Sequence, residues 1–181
     1  MTHSKLLTEN HLYYETIETT RDKVNIVDDI YEILYESYRS VKGGLHFSSK
    51  DELIIKTDKW RVIYYDTEIV GVIIYKAKKG LKMVAMGLHQ HIEKPLRNLA
   101  KQTLVSIFKF TFSHTWMEVS EGAEAFILKN GGHNFMIPNE LAQQLTGKEI
   151  LGLCEDGYHY KREINGIIKT KLMIGTVKYK N

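Results

Sequence analysis

The apolar positions along this chain change period several times, and each change marks an element. Tyr14–Thr19 is a β-favouring run and predicts a first strand. From Asp22 to Ser40 the period becomes helical. Val24, Val27, Ile30, Leu34 and Tyr38 recur at three- and four-residue steps, acids stand early and Arg39 late, and Gly43-Gly44 ends the pattern. Ser49-Lys50-Asp51-Glu52 has the form of a capping box ahead of Leu53-Ile54-Ile55, which predicts a short helix to about Lys56. Arg61–Tyr65, Ile69–Tyr75 and Leu81–Leu88 are then rich in Val, Ile, Tyr and Met. Asp66-Thr67-Glu68 and Lys78-Lys79-Gly80 divide them, so the three segments predict an antiparallel meander.

In the second half, Lys94-Pro95 opens a long helix to about Phe112, with Leu96, Leu99, Leu104, Ile107 and Phe108 on its inward face. The run Thr115–Gly132 compresses three signals into one stretch. Trp116 and Val119 suit a buried strand, Ser120 can cap the N–H groups of the next turn, and Glu121 and Glu124 favour a helix start. Ala123, Phe126 and Ile127 share one helical face, and Asn130-Gly131-Gly132 supplies the stop after Lys129. Pro138–Leu145 predicts a short helix stopped by Gly147. Tyr158–Ile164 and Ile167–Val177 predict a closing hairpin across Asn165-Gly166. Residues 1–13 are expected to form a polar N-terminal arm, and 14–181 a single domain.

Composition adds bounds. A chain of 181 residues with 43% hydrophobic and 26% charged positions can bury a core without disulfides or metal, which predicts a soluble globular protein. It shows no signal pattern and no apolar run long enough for a bilayer, so no membrane role is expected. The single Cys154 cannot form an internal disulfide, and a reducing cytoplasm is the simplest compartment. The net charge of +3 hides an uneven distribution: between Lys76 and Lys109, eight Lys and Arg residues face only Glu93. Tyr158–Asn181 repeats the imbalance, with six bases against Glu163. Such clusters suit an anionic ligand or partner, and equally a solvated surface.

The order of elements and the Thr115–Gly132 run resemble the Gcn5-related N-acetyltransferase (GNAT) superfamily over roughly Tyr14–Val177. In that family a fifth strand runs into a fourth helix ending in "K-x-G-[aromatic]". Lys129, Asn130 and Gly131 match, and Gly132 replaces the aromatic. The resemblance implies a mixed α/β (α+β) fold: a central, mostly antiparallel sheet flanked by helices and closed by a β-hairpin. The Pro138–Leu145 helix is an addition to the family's minimal plan.

It also implies acetyl-CoA or another acyl-CoA as cofactor, with the fourth strand offering backbone groups to the pantetheine arm and the next helix receiving the pyrophosphate. Those positions fall on Met86 and Leu88 in the strand and on Lys94 and Arg97 at the helix start. The family's glycine-rich "[RQ]-x-x-G-x-[GA]" loop is absent, because no glycine occurs between Leu88 and Gly122. The family's proton-donating tyrosine in the fourth helix is also replaced, by Ile127 or Leu128.

Substitutes for the acid–base groups are Tyr160, Glu118, Ser120 and His89. Alternation puts Tyr158 and Tyr160 on one strand face and His159 and Lys161 on the other. Tyr158 and His159, together with the Gly43-Gly44 turn, are the candidates for substrate binding. His89 and His91 stand two apart beyond a strand, as a base or as ordinary turn residues; two histidines do not make a metal set. The expected activity is acyl transfer to an amine or another nucleophile whose identity the sequence does not give. The alternatives are a GNAT-fold protein that binds or modifies nucleic acid without standard CoA use, and a non-catalytic interaction domain. Assembly as a homodimer stays open. Two expectations are geometric: Met83–Leu88 and Trp116–Ser120 should be adjacent parallel strands that splay apart, and Tyr160 should lie nearer the functional cleft than Ser120.

Overall fold

The computed structural model describes residues 11–39, 47–78, 80–112, 115–119, 152–153, 159–164 and 167–175. Its elements run β1 (Leu12–Ile17), α1 (Thr20–Tyr38), α2 (Lys50–Lys56), β2 (Lys59–Tyr65), β3 (Glu68–Ala77), β4 (Leu81–Leu88), α3 (Lys94–Phe112), β5 (Thr115–Val119), β6 (Gly152–Leu153), β7 (His159–Ile164) and β8 (Ile167–Gly175). The strand order is β1-β2-β3-β4-β5-β8-β7-β6. The β4–β5 pair is parallel, whereas β1–β2, β2–β3, β5–β8, β6–β7 and β7–β8 are antiparallel. Of the expected arm, residues 1–10 lie outside the described residues, whereas Leu12 and Tyr13 are strand, because they pair with Tyr65 and Tyr64 and carry β1 two residues further back than expected. The expected helices at Ser120–Lys129 and Pro138–Leu145 lie outside the described residues, as do Gly43-Gly44 and Asn165-Gly166. No helix among the described residues is long and apolar enough to cross a membrane.

The chain divides into two compact units. The first holds β1, α1, α2, β2, β3 as far as Lys76, β4 from Val84, and α3 as far as Phe108. One face of its sheet is closed by α1 and α2: Val27, Ile30, Ile33 and Leu34 of α1 and Leu53 of α2 form a single cluster with Trp60, Val62, Val72, Ile74 and Ala85. Strand β3 is buried from Ile69 to Tyr75, so its apolar run is continuous rather than alternating. A bulge interrupts its ladder. Ile63 pairs with Gly71 and Tyr64 with Ile69, which leaves Val70 as the extra residue and turns Ile69 into the α1 core. Arg61 of β2 lies against the rings of Tyr14 and Tyr75, 5.9 and 5.7 Å from their centroids, and its buried Nε and Nη1 have no hydrogen-bond partner among the described residues.

Helix α1 departs from the expected stripe by one position. Val24 is 56% exposed, whereas Lys23 is only 4% exposed. Lys23 continues the arc of Val27, Ile30 and Leu34. Its ammonium donates to the Thr57 carbonyl at 2.9 Å and lies 5.6 Å from the Trp60 ring, which satisfies the buried charge. Burial lowers its pKa, with Asp58 and Glu18 opposing the shift. Thr19, expected as the end of the first strand, is instead the N-cap of α1 and accepts from the Asp22 amide. On α3, Leu96, Leu104 and Ile107 are buried as expected, along with Ala100, while Leu99 is half-buried.

The second unit holds the end of β3, β4 as far as Met83, and β5 to β8. Strand β4 meets β5 at Leu81↔Thr115, Lys82↔Trp116 and Met83↔Met117, in the expected parallel sense. The ladder ends there, although β4 runs on to Leu88 and β5 to Val119. The closing hairpin pairs His159 with Leu172 and Ile164 with Ile167. A two-residue strand at Gly152–Leu153, which the sequence pattern did not reveal, adds an edge beside Lys161 and Tyr160.

The start of α2 is a capping box shifted by one residue. Ser49 accepts from the Glu52 amide at 3.1 Å, but the Glu52 carboxylate reaches back to Ser48 rather than Ser49, and also to Lys56. Lys56 and then Ser48 hold the Glu52 carboxyl down at about 2. Ser49→Ala should cost about 1 kcal/mol in chemical denaturation. Because a depressed carboxyl stabilises only while it is ionised, the contribution of Glu52 is complete above about pH 4.5 and fades as pH falls toward about 2. The unfolding midpoints of wild type and Glu52→Gln should therefore converge over that window. A gap independent of pH would exclude the ionised box.

Gly87 of β4 tests the packing of α1. A Cβ there would sit 2.8 Å from Ser37 Oγ and 3.0 Å from Ile33 Cγ2. Gly87→Ala should destabilise by about 1–3 kcal/mol, and adding Ser37→Ala should recover part of the loss, measured by denaturant titration.

Candidate functional site

Within the first unit, the end of β4 leads through His89–Glu93 into α3. Three interactions fix this turn. The bulged Val70 turns its carbonyl onto the His89 amide at 2.9 Å, tying the turn to β3. Gln90 Nε2 donates to the Leu88 carbonyl at 3.2 Å, and the His91 amide donates to His89 Nδ1 at 3.1 Å. The Arg97 amide then reaches the Glu93 carbonyl at 2.9 Å, starting the helical ladder of α3.

A neutral imidazole that accepts at Nδ1 carries its proton at Nε2. His89 therefore presents a donor, and it can act as a base only by releasing the His91 amide. The His91 ring stands edge-on to it at 6.0 Å. Among the described residues there is no cluster of three or more His, Cys, Asp and Glu suited to a metal.

Met86 and Leu88 do not present bare backbone groups. His89 sends its N–H to β3, and the Gly87 carbonyl lies on the Gly71 side, so Met86 turns its N–H and C=O the opposite way. Both are taken by one side chain. Tyr38 Oη, from the last residue of α1, donates to the Met86 carbonyl at 3.0 Å and accepts from the Met86 amide at 3.1 Å. Burial pushes the Tyr38 phenol above the usual tyrosine range, with the Met86 hydrogen bond opposing the shift, so the hydroxyl keeps its proton. The helical spacing of Tyr38 suggested only a core residue. A tyrosine closing an apolar stripe needs a partner for its hydroxyl, and that was the available signal.

At the start of α3, Lys94 is exposed and Arg97 half-buried, and the first turn contains no acid. The first amides of a helix lack intrahelical partners and carry the positive end of its dipole, which two cations reinforce here. This corner is suited to an anion.

The remaining candidates belong to the second unit or lie outside the described residues. Glu118 is opposite Met173 of β8, and Tyr160 is opposite Lys171, two residues along the same strand. Their positions therefore fall on rows of the same parity, and His159, opposite Leu172, falls on the other. Ser120, Gly43, Gly44 and Tyr158 lie outside the described residues.

No protein-family model and no curated protein matches the chain. Solved structures do match. A putative GNAT-family acetyltransferase from Bacteroides thetaiotaomicron is similar with a TM-score of 0.54 over 91% of this chain and 88% of its own, at 18% identity. Also similar are an acyl-CoA N-acyltransferase from Pseudomonas aeruginosa (TM-score 0.47, 91% and 99% covered, 9% identity) and a Bacillus subtilis acetyltransferase solved in complex with CoA (0.43, 90% and 96%, 15%). The chain has the mixed α/β fold of the GNAT superfamily.

The tautomer of His89 can be read directly. In 15N-labelled protein near pH 8, the His89 ring should show an unprotonated Nδ1 and a protonated Nε2. The opposite tautomer would break the turn geometry described above.

Proposed function

We propose that the protein is an acyltransferase taking acetyl-CoA or a related acyl-CoA as donor, with an amine or another nucleophile as acceptor. The observation that carries this reading is the acid-free first turn of α3 with Lys94 and Arg97, directly after β4 in a GNAT fold. The N–H groups of Lys94 and Leu96 suit a phosphate, Pro95 between them having none, and the two cations supply charge that the family's glycine loop does not. Along β4 the fit is conditional. An amide-bearing arm beside Met86 must take the place of the Tyr38 hydroxyl.

A bound donor would supply an activated acyl thioester, and the protein's part would be to hold it and move two protons. Glu118 and His89 are the proposed acceptors for the nucleophile's proton, and Tyr160, ahead of Ser120, the proposed donor to the departing thiolate. Tyr158, His159 and the Gly43-Gly44 turn are proposed to contact the acceptor. A reducing cytoplasm suits the single Cys154.

A second reading, nucleic-acid binding or modification on the same fold without standard CoA use, is favoured by one observation. The strand edge at Met86 and the Leu88 carbonyl are already held by Tyr38 and Gln90.

Calorimetric titration with CoA at low and high salt separates the two. Lys94→Ala with Arg97→Ala should weaken CoA binding by about 3- to 30-fold at low salt, and by less at high salt. CoA affinity that the double variant leaves unchanged would remove the proposed phosphate site. Salt-sensitive binding of an oligonucleotide, with none of CoA, would favour the second reading.

A further inference from the structure

One tyrosine hydroxyl is doing the work of a neighbouring strand. Beyond Met83↔Met117 the β4–β5 ladder stops, and Met86 lies three residues further along β4. Its N–H and C=O point away from β3 and would ordinarily require a second strand or water. Tyr38 meets both, at 3.1 and 3.0 Å, because a hydroxyl is donor and acceptor at once. An extended amide-bearing ligand offers the same pair of functions in the same direction, which is how a peptide adds to an open sheet edge. The phenol and such a ligand therefore compete for one backbone position.

The last turn of α1 sets the strength of that competition. Ser37 Oγ donates to the Ile33 carbonyl at 2.7 Å, and both residues bear on Gly87, next to Met86, where even a Cβ would collide. The backbone at Tyr38 is thus held against β4 and its ring packs against the core cluster, so yielding the position at Met86 is a movement of the side chain alone. The raised phenol pKa keeps the hydroxyl a donor throughout the neutral range.

We propose that Tyr38 is a latch on the β4 edge, occupying the hydrogen-bonding position of Met86 and yielding it to an extended amide-bearing ligand, so that it sets the affinity of that edge. This rests on the acyl-donor function proposed above, in which the pantetheine arm of CoA is the ligand. The exchange replaces one hydrogen-bonding partner by another, so the latch weakens binding without abolishing it.

The test compares two probes. CoA carries the two amides of the arm, whereas adenosine 3′,5′-bisphosphate carries phosphates and no arm. Tyr38→Phe removes the hydroxyl and its hold on Met86, and should tighten CoA by about three- to tenfold while leaving the bisphosphate unchanged. Tyr38→Ala, which also removes the ring, should tighten CoA at least as much. In wild-type protein labelled at tyrosine Cζ, saturating CoA should shift the Tyr38 resonance and the bisphosphate should not, a readout that does not depend on either variant folding.

CoA affinity unchanged or weaker in both variants, or a Tyr38 resonance indifferent to bound CoA, would make Tyr38 a structural clasp and overturn the latch. If the bisphosphate still binds in that case, the acyl-donor function survives. If neither probe binds wild type or any variant, the latch and the donor function fall together.

Discussion

Helix α1 can lie on strand β4 because position 87 has no side chain. Ser37 and Ile33 fill the space a Cβ would take, and that contact sets the depth at which the whole apolar side of α1 meets the sheet. Ile30, Ile33 and Leu34 reach Trp60, Val72 and Ala85 only at that depth, so the core of the first unit depends on it. Tyr38 inherits its position from the same contact. A core packing constraint thereby decides which side chain meets the strand edge at Met86.

That edge poses a problem common to all strands that run on past the end of a ladder. Each unpaired peptide must find a partner, and exposed strand edges invite unintended ones. Here the partners are local and made by side chains: a phenol at Met86 and a carboxamide at the Leu88 carbonyl. Both belong to the protein itself, and each is a hydrogen bond of the kind whose net contribution is about 1 kcal/mol. Between them and the basic start of α3, the end of β4 combines a covered edge with an anion-accepting corner.

Much of this architecture was legible in the sequence. The meander, α3 from Lys94 to Phe112, and the closing hairpin fall where the apolar periods place them, because a strand or helix buried on one face writes its period directly into the chain. The parallel neighbourhood of β4 and β5 followed from the helix between them. What could not be read was tertiary. Lys23 and Val24 exchange roles on α1 because a lysine that finds the Thr57 carbonyl and the Trp60 ring can be buried, and no periodicity marks such a partner. The Glu52 carboxylate bonds Ser48 in place of Ser49, a choice that two adjacent serines conceal in the sequence. At the site, Lys94 and Arg97 were visible as a charged helix start, whereas the pairing of Tyr38 with Met86 joins residues 48 positions apart.

The bulge at Val70 gives β3 a built-in reading frame. Upstream of it, Ile69 belongs to the face covered by α1, while the carbonyl of Val70 itself anchors the His89 amide. A deletion of this single residue would straighten the ladder while reversing the sidedness of everything N-terminal to it in the strand. It would also take away the turn's attachment point. A change of length that a surface loop would absorb is therefore costly here, in the interior of β3.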